Sequence, residues 1–127
     1  MRALVIDDST TMRAIVSEML GGLGFDTAQA GDGREALDLL ESGQRFDLAC
    51  IDWNMPVMDG LEFVAAVRAR RQWPDLTLMM VTTEGERGQI VRALAAGAHE
   101  YVIKPFTSDA IASKLVLLGL LPVGERR

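Results

Sequence analysis

Cysteine is nearly absent from this chain of 127 residues: Cys50 stands alone. One cysteine forms no internal disulfide, and no second thiolate exists for a metal site. It lies inside an apolar run, where a free cysteine acts as a small hydrophobe. Long hydrophobic runs are missing too. The longest, residues 115–123, falls far short of the ~20 residues a membrane helix needs. The apolar start reaches only Ile6 before two aspartates interrupt it, which is no signal peptide. Basic residues are in deficit, with a formal net charge of -5, and nucleic-acid binding needs a basic face that displaces counterions. Arg126 and Arg127 at the end are too few to form one. There is no linker, repeat or low-complexity segment. The expectation is one domain in the cell interior (cytoplasmic), with no membrane or nucleic-acid partner. Its limits are set at residues 1–121, with a short tail over 122–127 and no output domain.

What is present is an alternation of short apolar runs with helix-like stretches, the pattern of a doubly wound α/β domain. Strands are expected at residues 3–6, 25–30, 48–51, 76–81 and 99–103. Between and after them come five helices. Ser9-Thr10-Thr11 offers caps for the first, whose apolar face recurs as Met12, Ile15, Val16, Met19, Leu20 and Leu23, with Gly21, Gly22 and Gly24 ending it. The second spans residues 34–41 with Ala36, Leu37 and Leu40 inward. The third spans about 60–71, and the fourth lies within 86–96 with Gly97 closing it. The fifth begins near Thr107. At 100° per residue, Ile111, Leu115 and Leu118 form its sheet-facing stripe, and Leu117 and Leu120 fall on the opposite side. An apolar patch of Leu117, Leu120 and Leu121 is therefore expected there, on a face that docks a partner or a second copy of the chain.

The strand ends carry the chemistry. The first run stops at Asp7-Asp8, the third at Asp52, the fourth at Thr82-Thr83 and the fifth at Lys104-Pro105. In an open parallel sheet these ends share one edge, and that edge is where such folds bind ligands. Three carboxylates, a lysine and a hydroxyl meet there. Unit charges about 4 Å apart repel by roughly 4 kcal/mol at an effective dielectric of 20, so the cluster needs a cation or bound protons. Oxygen ligands with few protein donors suit Mg2+, which completes its shell with water and phosphate oxygens. Lys104 pairs with a phosphate, and Thr82 donates to a phosphoryl oxygen.

With these residues the chain resembles the receiver domains of two-component response regulators, and within them the single-domain CheY-like chemotaxis type. The resemblance runs from about Ala3 to Leu118. It is carried by Val5-Ile6-Asp7-Asp8-Ser9 with Met12-Arg13, Asp52-Trp53-Asn54-Met55-Pro56 with Met58-Asp59-Gly60, Val81-Thr82, and Lys104-Pro105-Phe106. It implies a (βα)5 flavodoxin-like fold with strand order 2-1-3-4-5. It implies that Asp52 is the phosphoacceptor for a sensor histidine kinase. Asp7, Asp8, Asp52 and the backbone carbonyl of Asn54 would hold Mg2+, with Lys104 binding the phosphoryl oxygens across a cis Lys104-Pro105 bond. Thr82 would move toward the phosphoryl group and Tyr101 would turn inward. Asn54, Thr83 and Glu84 would tune the lifetime of the acyl phosphate, Thr83 standing where a smaller Ala or Gly is usual. The chain would be a phosphoacceptor signalling protein that assists its own phosphotransfer and slow autodephosphorylation, not an enzyme with turnover.

The resemblance further implies an output partner such as the flagellar motor switch on the face made by the fourth helix, fifth strand and fifth helix. A phosphatase and a weak dimer through that face are also open, as is a monomer. The alternative is a stand-alone receiver in a phosphorelay, a phosphate sink or cell-cycle control. A haloacid-dehalogenase-type phosphatase fits less well, since its nucleophile sits in an Asp-x-Asp motif at the first strand. A flavodoxin-like FMN carrier fits poorly, because Asp7-Asp8 would repel the phosphate.

Overall fold

The computed structural model describes residues 1–122. Five strands and five helices alternate: β1 (Arg2–Ile6), α1 (Thr10–Gly22), β2 (Asp26–Ala30), α2 (Gly33–Glu41), β3 (Leu48–Ile51), α3 (Gly60–Arg70), β4 (Thr77–Thr82), α4 (Arg87–Ala96), β5 (Glu100–Ile103) and α5 (Ser108–Leu117). All four strand pairings are parallel, in the order β2-β1-β3-β4-β5. The expected tail, residues 122–127, lies outside the described residues except for Pro122.

The three central strands explain why the runs are unbroken by polar residues. A parallel sheet is covered on both faces, so both sets of alternating side chains must be apolar. Leu4, Ile6, Ala49, Ile51, Leu78 and Met80 point into one cluster with Ala36, Leu37, Leu40, Phe63, Val64, Val67 and Ala93, which places α2, α3 and α4 on that side. Ala3, Val5, Leu48, Cys50, Met79, Val81 and Val102 join Val16, Leu20, Ile111 and Leu115, placing α1 and α5 on the other. Each fully buried Leu or Ile contributes about 1.5–3 kcal/mol. Cys50 is packed as a hydrophobe, and burial pushes its thiol up to about 12. The edge strand β2 is mostly exposed and mostly polar, which blunts it against pairing with other chains.

At the helix ends one expectation holds and one is corrected. Gly21 and Gly22 are the last residues of α1, and the left-handed residue that closes it is Gly24, at φ 98°. There the Phe25 N–H donates to the Leu20 carbonyl at 3.0 Å and the Gly24 N–H to Gly21 at 3.1 Å, a Schellman closure. The same closure ends α5 one turn earlier than the 100° register assumed. Gly119 adopts φ 78°, and the Leu120 N–H donates to the Leu115 carbonyl at 2.9 Å. The chain is thereby turned back, so Leu118, Leu120 and Leu121 pack against the α1/α5 core. Only Leu117 of the expected patch is exposed, at 76%. Among the described residues, no helix is long and apolar enough to cross a membrane.

Candidate functional site

The sheet ladder delivers the carboxylates. The Asp7 N–H donates to the Ala30 carbonyl at 3.1 Å and the Asp52 N–H to the Ile6 carbonyl at 2.9 Å, so each aspartate leaves its strand directly from a ladder bond. Asp7, Asp8 and Asp52 each present an oxygen within 4.8 Å of the others. Their settings differ. Asp7 is buried and Asp8 exposed, with Asp52 between.

Asp7 is fully engaged. Its Oδ1 accepts the Ser9 N–H at 2.9 Å and its Oδ2 accepts Lys104 Nζ at 2.8 Å. Its backbone carbonyl accepts Arg13 Nη1 at 2.7 Å, and Arg13 also reaches Gln29 and Thr10. Arg13 was part of the motif without an assigned role. Here it anchors the turn that holds Asp7. A basic residue one turn into the helix after an acidic strand end was its sequence signal. Ser9 caps α1, accepting the Met12 N–H at 3.2 Å.

Asp52 lies at the centre. Its Oδ1 accepts the Trp53 N–H at 2.9 Å and faces Lys104 Nζ at 3.8 Å. Burial raises its pKa first, and the neighbouring charge of Asp7 adds to that. Lys104, the Thr82 hydroxyl and the Trp53 N–H oppose both. Three carboxylates thus face one ammonium, leaving two negative charges uncompensated by the chain. A compact set of hard oxygen donors with that excess fits a divalent cation such as Mg2+.

The loop after Asp52 is held from below. Asp59 and Glu62 form a reciprocal capping box at α3, and the Gly60 N–H donates to the Trp53 carbonyl at 2.9 Å. The Trp53 ring is buried, with the Arg92 guanidinium 5.8 Å from its centroid. Periodicity gave no hint of this contact between α4 and the acceptor loop.

On the β4 and β5 side the Lys104–Pro105 peptide bond is cis, and the Lys104 N–H donates to the Thr82 carbonyl at 2.8 Å. Thr82 is fully buried, and its hydroxyl accepts the Glu84 N–H at 3.3 Å. Glu84 links two more expected residues, its carboxylate accepting from the Asn54 side chain and its backbone carbonyl from the Tyr101 hydroxyl. The Tyr101 ring already lies inside, 7% exposed. Its hydroxyl pKa is raised by burial, then by Glu84 and Asp52. Thr83 is exposed and, with Met12, Ile15, Met19, Lys104, Pro105 and Phe106, borders a cleft of about 440 Å³ beside the acidic cluster. Asp7, Asp8, Asp52, Thr82 and Lys104 meet at one edge, and Asn54, Glu84 and Tyr101 form a chain of contacts leading from it.

The model of the response regulator receiver domain matches residues 3–116. The chain belongs to that family. It is 45% identical to the chemotaxis protein CheY homologue of Campylobacter jejuni, over 91% of this chain and 89% of that one. It is 46% identical to the chemotaxis protein CheY of Pseudomonas aeruginosa, over 91% and 93%. Its fold matches the response regulator TrrA from Thermotoga maritima, solved in complex with Mg(2+)-BeF. There the TM-score is 0.80 at 31% identity, covering 92% of this chain and 97% of that one. The chain is accordingly a CheY-type receiver, a phosphoacceptor signalling protein and not a catalytic enzyme. The haloacid-dehalogenase and FMN-carrier readings are set aside.

Proposed function

We propose that this receiver, with its domain over residues 1–121, takes a phosphoryl group on Asp52 from a phosphohistidine of a sensor histidine kinase. The observation that carries this reading is the place of Asp52. Its carboxylate is ringed by Asp7, Asp8 and Lys104 at the edge where the strands end. Transfer forms a bond between an Asp52 oxygen and phosphorus and breaks the P–N bond, the electron pair leaving on the imidazole nitrogen. Asp7, Asp8, Asp52 and the Asn54 carbonyl would hold Mg2+, whose role when bound is to neutralise charge on the transferring phosphoryl oxygens. The likeness to a receiver solved with Mg(2+)-BeF supports that choice of ion.

Phosphorylation adds nearly two negative charges and three acceptor oxygens. Lys104, now paired with Asp7 at 2.8 Å, is positioned to be shared with them. The Thr82 hydroxyl lies in hydrogen-bonding reach of Asp52, and turning it toward the phosphoryl group frees the Glu84 N–H it now accepts. Glu84 carries that change to Tyr101 and to the start of α4, biasing the α4-β5-α5 face between two packings that differ by a few kcal/mol. Asn54, Thr83 and Glu84, at the rim, tune how water reaches the acyl phosphate.

The pathway we favour is chemotaxis, with the flagellar motor switch as output and a phosphatase resetting the signal, in the cytoplasm. The two relatives named for chemotaxis support it. A stand-alone receiver in a phosphorelay, a phosphate sink or cell-cycle control is the competing reading. Acetyl phosphate or phosphoramidate with Mg2+ should add one labile phosphate to the wild type and none to Asp52→Asn, by intact mass. An equally labelled variant would reject the acceptor assignment. Beryllofluoride-dependent binding to the motor switch protein separates chemotaxis from the alternatives.

A further inference from the structure

The far end of α4 is fastened in an unusual way. Of this helix only Ala93 is buried, with Ile90 and Ala96 partly buried against the same cluster, while Val91 and Leu94 are 58% and 43% exposed. Beyond its C-terminal Gly97 the chain is tied to α3 and β4 by polar groups. Arg68 of α3 donates from Nε to the Gly97 carbonyl at 3.0 Å and from Nη2 to the Leu76 carbonyl at 3.3 Å. Its stem lies so close to Gly97 that a Cβ there would sit 2.4 Å from Arg68 Cγ. His99 completes the set. Its N–H donates to the Leu78 carbonyl at 2.8 Å, and its Nδ1 accepts the Leu78 N–H at 3.0 Å, with Arg68 Nη2 3.1 Å away.

An imidazole nitrogen accepts a hydrogen bond only while it carries no proton. Nδ1 here receives a backbone N–H, so the ring is neutral with its hydrogen on Nε2. Protonating Nδ1 would strand the Leu78 N–H and place a second cation against Arg68. Arg68 is the charge that bears on the ring. Glu100, the next residue, turns its carboxylate to the Tyr101 N–H and to Lys114 of α5. On α4, Arg92 lies over Trp53 instead. Asp75 is exposed at the entry to β4.

We propose that Arg68 and His99 are positioning residues that latch the C-terminal end of α4 to α3 and β4, and that the latch opens when His99 is protonated. The inference does not depend on the phosphoryl chemistry of the acidic cluster. Burial and the charge of Arg68 both act in the required direction, lowering the His99 pKa from its ordinary 6.5. A depressed pKa in the folded state means stability that is complete above the unfolded value and is lost as pH falls through the folded one.

His99 is the single histidine of the chain, so its ring signals are unambiguous in the full-length protein. NMR should report the Nε2–H tautomer and a midpoint below 6.5. Each unit of depression makes the opening constant of the protonated form about tenfold larger. Exchange of the Leu78 amide and of the last turn of α4, corrected for intrinsic pH dependence, should accelerate by that factor across the transition. His99→Asn keeps an acceptor at the Nδ1 position and does not titrate, so its protection should be independent of pH. A midpoint at or above 6.5, an Nδ1–H tautomer, or the same acid-dependent loss in His99→Asn would overturn the latch. The wild-type titration stands on its own should that variant not fold.

Discussion

A Cβ built on Gly60 would lie 2.2 Å from the backbone carbonyl oxygen of Asp52. The first residue of α3 is therefore packed against the peptide that carries the acceptor carboxylate, and Asp59-Gly60 is more than a turn. Gly60→Ala would gain helix propensity yet force the β3–α3 loop away from the sheet. Overpacking of this kind costs about 1–3 kcal/mol. The urea midpoint should fall by that amount, and phosphorylation by acetyl phosphate should slow because the Trp53 N–H no longer meets Asp52 squarely. Gly88→Ala is the control. It lies in α4 with nothing within 4 Å of the added methyl, so it should stabilise by about 0.5–1 kcal/mol.

Leu117 and Leu120 are expected to part company. Leu117 projects from α5 at 76% exposure, and surface changes of that kind stay within about 0.5 kcal/mol. Leu120 is folded back onto the α1/α5 core by Gly119. Leu120→Glu should lower the thermal midpoint clearly while Leu117→Glu leaves it in place. If Leu117 contributes to an output surface, its variant weakens partner binding without touching phosphorylation of Asp52.

What could be read from the residues depended on the range of the interaction. Apolar runs that end in Asp7-Asp8, Asp52, Thr82 and Lys104 are local signals, and parallel strand ends must share an edge, so most of the site was visible without coordinates. The helix ends were less so. Gly21, Gly22 and Gly24 are equivalent as letters, and only the closure on Leu20 selects Gly24 as the left-handed residue. For the same reason a 100° projection carried α5 past its true end and put Leu120 on the wrong side. Contacts between distant segments away from that edge were invisible. Arg92 over Trp53 and Arg68 with His99 each join residues with no periodic relation.

Val57 sits at the tip of the loop after Asp52 with φ 68° and 80% exposure. The Met58 N–H donates to the Pro56 carbonyl at 2.7 Å around it, a three-residue turn whose central residue has positive φ and is strained. A β-branched residue there costs about 1–2 kcal/mol relative to glycine's free access to this region. Glycine returns part of that through its larger unfolded-state entropy. Val57→Gly should therefore raise stability by about 0.5–1 kcal/mol with an unchanged denaturant slope.

Charge in the acidic cluster gives the last expectation, and the Lys104 contact shapes it. Repulsion alone would make neutralising any of the three aspartates favourable in metal-free protein. Asp7, however, holds Lys104 at 2.8 Å with both partners largely buried, and removing one partner of a buried pair strands the other. Asp7→Asn should thus lose stability in EDTA, whereas Asp52→Asn should gain it. The pH dependence has a defined sign. The folded pKa of Asp52 is raised, by burial first and then by Asp7, so its contribution is most favourable below the ordinary value of 3.8 and is lost as pH rises through the folded pKa. The advantage of Asp52→Asn over wild type in EDTA should grow across that interval and then level off. Mg2+ binding only the native state stabilises it by mass action, so adding Mg2+ should raise the wild-type urea midpoint more than that of Asp52→Asn and close the gap. An Asp52→Asn protein less stable than wild type in EDTA at neutral pH would show that Lys104 already balances the cluster.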